Sequence, residues 1–216
     1  MQDLLERLAK LRERDPLCQL FGAESHRYAV EPTTWDEVAR FEDRYGARLP
    51  DPFRRFLLEV TDGGAGPGHG LVSLDRTDDD DVAENLALLG QPFDHEEYFG
   101  LQPPDQDPDE QHEEDVEEAL KVYWRDMPGT MTLCHYGCCI RAQLVVTGAM
   151  AGLVLLDQRS DEAGVYPFTR ATAGRWNAYE RPPNQDRTPL EMVPWYRDWL
   201  DASLALLEVA RPPVPS

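Results

Sequence analysis

Lysine is nearly missing from this chain: Lys10 and Lys121 are the only two among 21 basic residues. Arginine supplies the other cations, so the scarcity reads as the codon bias of a GC-rich bacterial genome rather than as chemistry. Positive charge is scarce altogether, with 41 acidic residues against those 21 and a formal net charge of −20. A chain so acidic repels nucleic acid and anionic membranes, so neither is expected as a direct partner. Long apolar runs are also missing. Nothing approaches the roughly 18 consecutive apolar residues that suggest a membrane span, and mean hydropathy is −0.56. Residues 1–15 are charged and amphipathic and lack the apolar core of a secretory signal. Cysteine is confined to Cys18, Cys134, Cys138 and Cys139, without the spacing of a disulfide framework. That usage fits a reducing compartment, and the cytoplasm is the expected location. A length of 216 residues suits one well-buried domain with insertions and is short for two.

What is abundant is acid, and it is concentrated. From Asp75 to Glu118 there are 18 acidic residues and one basic residue, Arg76, leaving 23 acids and 20 bases for the rest of the chain. The scaffold is therefore near neutral and one acidic insertion, residues 75–125, carries the charge. Its candidate partner-binding residues are Asp78, Asp79, Asp80 and Asp81, then Glu96 and Glu97, then Glu113, Glu114, Asp115, Glu117 and Glu118. An acidic run is commonly a solvated loop. Concentrated like this, it also suits a basic protein surface, reached at a steered rate that falls with salt. Pro92, Pro103, Pro104 and Pro108 break regular structure, so Asp75 to Asp109 is expected to be partly disordered. From Glu110, Val116, Leu120 and Tyr123 or Trp124 fall at helical spacing, predicting a helix with an acidic outer face.

The clearest local signals lie between Thr33 and Gly64. Thr34 with Glu37 is a capping box, and Trp35, Val38, Phe41 and Tyr45 then make one apolar helical stripe. Glu42 falls on the same face and is expected to be partly buried, tying the helix to loop amides. Gly46 stops that helix in a left-handed conformation. After Leu49-Pro50, Asp51 is expected to cap a second helix that has proline in its first turn. Phe53, Phe56, Leu57 and Val60 are its core face, and Gly63-Gly64 end it.

Elsewhere, Leu4, Leu5, Leu8 and Leu11 predict an amphipathic N-terminal helix that caps the core or a dimer contact. Residues 1–30 are thus an N-terminal helical extension, residues 31–210 the main domain and residues 211–216 a frayed tail. Short strands are predicted at Leu71–Leu74, Thr130–His135, Ile140–Thr147, Leu153–Leu156 and Val165–Phe168, with a turn at Gly148 to Gly152. A final helix is expected from Thr188, kinked or re-initiated at Pro194, with Trp195 and Trp199 on it. Helices at both ends of an antiparallel set of strands imply an α+β fold: an antiparallel sheet flanked by helices.

Phe41-Glu42, Gly46, Leu49-Pro50, Phe53, Phe56-Leu57 and Gly63-Gly64 resemble the opening of the SUKH superfamily. That superfamily includes fungal cell-wall assembly regulators of the Smi/Knr type and bacterial toxin-immunity proteins. The strand, glycine turn and returning strand from Leu144 to Asp157 (with Gly148 and Gly152) and the aromatic segment Trp195 to Leu200 are similar to its later elements, in the same order. The resemblance implies a single SUKH-like domain and a non-enzymatic binding protein, an immunity protein that neutralises a cognate toxin, nucleases being frequent targets in the family. The other role it implies is a regulatory or scaffolding module without a toxin.

No constellation argues for an enzyme. Cys134-His135 with Cys138 and Cys139 is one half of a zinc knuckle without a second half, and on strand-forming sequence these cysteines are expected as small core residues. The loop Asp62 to Gly70 lacks the lysine and hydroxyl of a phosphate cradle and reads as a flexible turn, with His69 its one acid–base group. His95-Glu96-Glu97 and His112-Glu113-Glu114 lack the spacing that sets two imidazoles on one metal. No metal, cofactor or catalytic residue is therefore expected.

Overall fold

The computed structural model describes residues 1–76, 85–104, 113–171 and 186–209, apart from the side chains of Glu113 and Glu114. Four strands form an antiparallel meander in the order β1-β2-β3-β4: β1 Thr130–Gly137, β2 Ile140–Val145, β3 Val154–Gln158 and β4 Gly164–Pro167. The period-two pattern divides their side chains between two faces. Ala142, Leu144, Val154 and Leu156 enter the main core, whereas Val145, Leu155 and Val165 enter a second, smaller one. A register irregularity at Leu133 resets the alternation along β1. Cys134 and Tyr136 consequently join the main core while His135 stays exposed. The fold is α+β.

The main core is closed by helices α1 Gln2–Arg14, α3 Trp35–Tyr45, α4 Asp51–Glu59 and α6 Met192–Val209, with the single turn α2 Ala23–His26 beside them. Leu4, Leu8 and Leu11 of α1 are buried there against α6, so core capping is the role the packing gives that helix. Asp3–Arg197 at 3.0 Å, Arg14–Glu208 at 2.7 Å and a close Arg7–Asp201 contact share one sequence offset, so α1 and α6 run parallel. Such exposed pairs contribute about 0–1 kcal/mol each and set register more than stability.

The α3–α4 pair forms for the local reasons its sequence indicates. Thr34 Oγ1 accepts from Glu37 N–H at 3.3 Å and Glu37 Oε2 accepts from Thr34 N–H at 2.9 Å. Side-chain hydrogen bonds from Thr34 and then Thr33 hold the Glu37 carboxyl down to about 2. Gly46 ends α3 at φ 62° with Cβ space open around it. Glu42 Oε1 accepts from Leu49 N–H at 2.8 Å and lies 3.3 Å from Arg54 Nε, an electrostatic contact without hydrogen-bond geometry. Val38, Phe41, Leu49, Phe53, Phe56, Leu57 and Val60 are buried. Gly63 and Gly64 follow at φ 85° and 76°, where a Cβ would collide with Ser73 and with the Ala29 carbonyl.

Several expectations are corrected. Trp35 is 59 % exposed rather than part of the apolar stripe, because it opens α3 beyond the core and stacks under the Arg54 guanidinium at 5.1 Å. Asp51 is the first residue of α4 and Pro50 its N-cap; the Asp51 carboxylate pairs with Arg54 at 3.1 Å instead. Leu71–Leu74 is not a strand: Leu71 makes isolated bridges to Gly64 and Cys134, and Leu74 lies in a turn. The loop from Asp62 to Gly70 is mostly buried, not loose. Ala65 N–H donates to the Ala29 carbonyl at 2.9 Å, and Gly64 and Leu71 exchange backbone bonds. Residues 188–191 are extended, with bridges from Pro189 to Thr169 and Glu191 to Leu153, so α6 begins at Met192. Pro194 then falls in its first turn, where the missing N–H costs nothing. Trp195 and Trp199 are buried on it.

Candidate functional site

Of the acidic insertion, residues 75–76, 85–104 and 113–125 are described, the last containing the helix α5 Glu113–Tyr123. The expectation of a segment without regular elements is corrected for residues 85–104. Single 3-10 turns form at Leu86–Leu88 and His95–Glu97, and Leu86, Leu89, Phe93 and Tyr98 are buried. Phe93 and Tyr98 stack at 5.3 Å and pack with Met127 on Val145, Leu155 and Val165. Leu86 and Leu89 join the main core, and the Phe93–Tyr98 part of the insertion covers the sheet's second face. Gly148 (φ 118°) makes room for it, since a Cβ there would strike the backbone of Phe93, while Gly152 (φ 95°) turns the chain into β3.

Helix α5 is tied down by a group that sequence reasoning missed. Arg159 and Asp157, both nearly fully buried, form a bidentate pair: Nε to Oδ1 at 2.9 Å and Nη2 to Oδ2 at 2.8 Å. The remaining nitrogen, Nη1, donates to the carbonyls of Tyr123 and Arg125 at 3.0 and 2.9 Å, satisfying orphan acceptors at the end of α5. Tyr123 Oη donates back to the Arg159 carbonyl at 3.0 Å. Tyr123 is therefore the buried aromatic of the pair left open by spacing, and Trp124 is half exposed. One signal was available: alternation along β3 puts Asp157 on the insertion side, two residues before an arginine.

This anchoring presents carboxylates outward. Asp115, Glu117 and Glu118 are exposed on α5, and Glu96 and Glu97 are exposed on the 3-10 turn. Lys121 lies 2.9 Å from Glu117 and 3.9 Å from Glu118, and Arg125 lies 3.5 Å from Glu97. The backbone of Glu113 and Glu114 opens α5, and Asp78 to Asp81 lie outside the described residues, as do His112 and the expected tail at 211–216. The arrangement exposes a group of carboxylates on one anchored segment.

A second concentration of chemistry lies at the β1–β2 turn. Here the expectation of three core cysteines is corrected: Cys134 is buried, whereas Cys138 and Cys139 are exposed. Burial pushes the Cys134 thiol up to about 12, with Tyr136 and the Ala142 backbone opposing by hydrogen bonds. Cys138 and Cys139 are the two central residues of the hairpin turn between Gly137 and Ile140, at φ 48° and 60°. They border a cleft of about 420 Å³ with His69, His135, Arg76 and Arg141, and among the described residues no carboxylate lines it. His69 and His135 stack at 4.8 Å. Ser25 Oγ lies 3.3 Å from His69 Nδ1, and the edge of Phe21 approaches at 5.6 Å, so these two side chains position the His69 ring. His69 N–H donates to the His135 carbonyl at 3.0 Å, covering the free edge of β1. Among the described residues no three His, Cys, Asp or Glu side chains are grouped to hold a metal ion, and no helix is long and apolar enough to cross a membrane.

Comparison with protein families, with curated proteins and with solved structures finds no match for this chain.

Proposed function

We propose that this chain is a cytoplasmic, non-enzymatic binding protein that neutralises a basic partner domain, a toxin with a cationic active-site cleft, by direct contact. One observation carries the reading: the 18 acidic residues between Asp75 and Glu118 sit on a near-neutral scaffold. Their described segments are fastened by the second core and by Arg159, so the charge is displayed from a rigid base. Preorganised charge steers encounter and selects against like-charged competitors. The likeness of Phe41-Glu42, Gly46, Leu49-Pro50 and Gly63-Gly64 to the SUKH pattern supports a non-enzymatic binding role, with immunity among the roles it implies, and the acidity favours the toxin-neutralising one. Nucleases fit the charge best, because their clefts are built to receive phosphate backbone.

The test is co-expression with the C-terminal domain encoded by the adjacent large reading frame. Rescue of growth and a salt-sensitive complex are expected. Substituting Asp115→Asn, Glu117→Gln and Glu118→Gln together should slow association by about 10-fold at low salt and change dissociation less. An unchanged association rate would remove the acidic mechanism while leaving immunity standing. Neither toxicity nor a complex would leave the regulatory module as the reading.

A further inference from the structure

The turn at Cys138-Cys139 is chemically out of place. A two-residue hairpin loop whose central residues both have positive φ selects Asn-Gly, Asp-Gly or Gly-Gly, because these tolerate the left-handed region. Here both positions are cysteine, at φ 48° and 60°. The strain is localised in two adjacent nucleophiles, and outliers of this kind cluster at functional sites. Exposure sorts the cysteines in the same way. Cys134, four residues earlier on the same strand, is sealed in the core, while both turn thiols are exposed.

We propose that Cys138 and Cys139 form a dithiol site for a thiophilic trivalent oxyacid, arsenite being the simplest. The β1–β2 ladder holds both cysteines in one two-residue turn, so the second sulfur bonds at high effective concentration once the first has reacted. The cleft beside them supplies imidazoles from His69 and His135 and the guanidinium of Arg141, hydrogen-bonding groups suited to a remaining oxygen. Among the described residues no third His, Cys, Asp or Glu is grouped with the two thiols as a metal ligand set, which suits this chemistry better than tetrahedral zinc. In the binding step each thiol gives up its proton and displaces one hydroxyl of As(OH)3 as water. Two As–S bonds form, two S–H and two As–O bonds break, and arsenic stays trivalent, so no oxidant or reductant is needed. The site is independent of the acidic face and stands whether or not that face binds a toxin.

The test titrates the folded, reduced full chain with arsenite and with phenylarsine oxide, reading free thiols and intact mass. One arsenic per chain is expected, with loss of two thiols, resistance to excess monothiol and release by a competing dithiol. Cys138→Ser and Cys139→Ser should each weaken capture by about 100-fold, the loss of the intramolecular second bond. Because a serine variant could disturb the turn, the paired Cys138→Asn and Cys139→Gly change supplies a turn of preferred type; it should keep the fold and lose capture. His135→Ala or Arg141→Gln should weaken arsenite and leave phenylarsine oxide unaffected. The proposal is overturned if the folded chain takes up no arsenic, if capture survives Cys138→Ser, or if the chain unfolded in denaturant binds as tightly as the native one.

Discussion

His26 makes the sharpest residue-scale statement about pH. Its ring packs edge-on to Tyr28 and Trp199, and its Nδ1 accepts from the Tyr28 N–H at 3.0 Å. Burial lowers its pKa to about 4, a bond with the Gly66 backbone opposes this, and nearby His69 adds to the lowering. Unfolded, the same imidazole titrates near 6.5. Between those values the unfolded chain binds the proton that the folded chain refuses. The stabilisation is therefore full above pH 6.5 and is lost as pH falls towards 4, by about 3 kcal/mol. Urea denaturation at pH 7 and pH 4.5 should show a clearly smaller decline for His26→Asn than for the native chain; equal declines would assign the pH effect to carboxylates alone. Residue by residue, local chemistry was readable. The Thr34–Glu37 box, Gly46 and the Glu42 tie to a loop amide follow from nearest-neighbour rules. The exposure of Trp35 and of the turn cysteines was not readable, because it depends on where the core ends and where a hairpin turns. Neither is encoded within a few residues of those positions.

At the scale of elements, strands and helices whose apolar period is long were legible: β1 to β4 fall within a few residues of their expected ranges. Tertiary bridges decided the remainder. Leu71 and Glu191 each pair with chain remote in sequence, which turned an expected strand into a bridge and delayed the start of α6. The least visible feature was the fastening of α5, since the bonds from Arg159 reach carbonyls 34 and 36 residues away. That fastening yields a prediction. Arg159→Ala leaves Asp157 as a buried unpaired carboxylate and exposes two unsatisfied carbonyls. It should cost about 3–5 kcal/mol, the typical loss when one member of a buried pair is removed. Paired replacement of Arg159 by Met and Asp157 by Leu should cost much less, because no charge is stranded. Chemical denaturation measures both. Hydrogen exchange should show α5 amides deprotected in the alanine variant before those of α3, and uniform deprotection would argue against a local anchor.

For the whole molecule, the sequence announced an α+β fold with one charged insertion but not the insertion's structural task. Its prolines and acids disguised Leu86, Leu89, Phe93 and Tyr98, which are spaced by turns rather than by a helix or strand period. The consequence is that stability opposes the recognition proposed for this segment. The segment that covers the sheet's second face also carries most of the net charge of −20. Crowded like charge destabilises a compact state by self-repulsion, and screening shortens from about 30 Å at 0.01 M salt to about 8 Å at 0.15 M. Raising salt across that range should therefore raise the melting temperature by a few degrees, on the order of 1 kcal/mol at this size. Changing Asp78, Asp79, Asp80 and Asp81 to asparagine should give part of that gain at low salt and flatten the salt dependence. A melting temperature indifferent to salt in both proteins would mean that the carboxylates are already locally compensated. A basic partner relieves the same repulsion, so its stabilising effect should be largest at low salt, where the free chain is weakest. Bound and free chains should then converge in stability as salt rises, and thermal melts of the two across one salt series would show whether repulsion in the free protein contributes to the affinity of the complex.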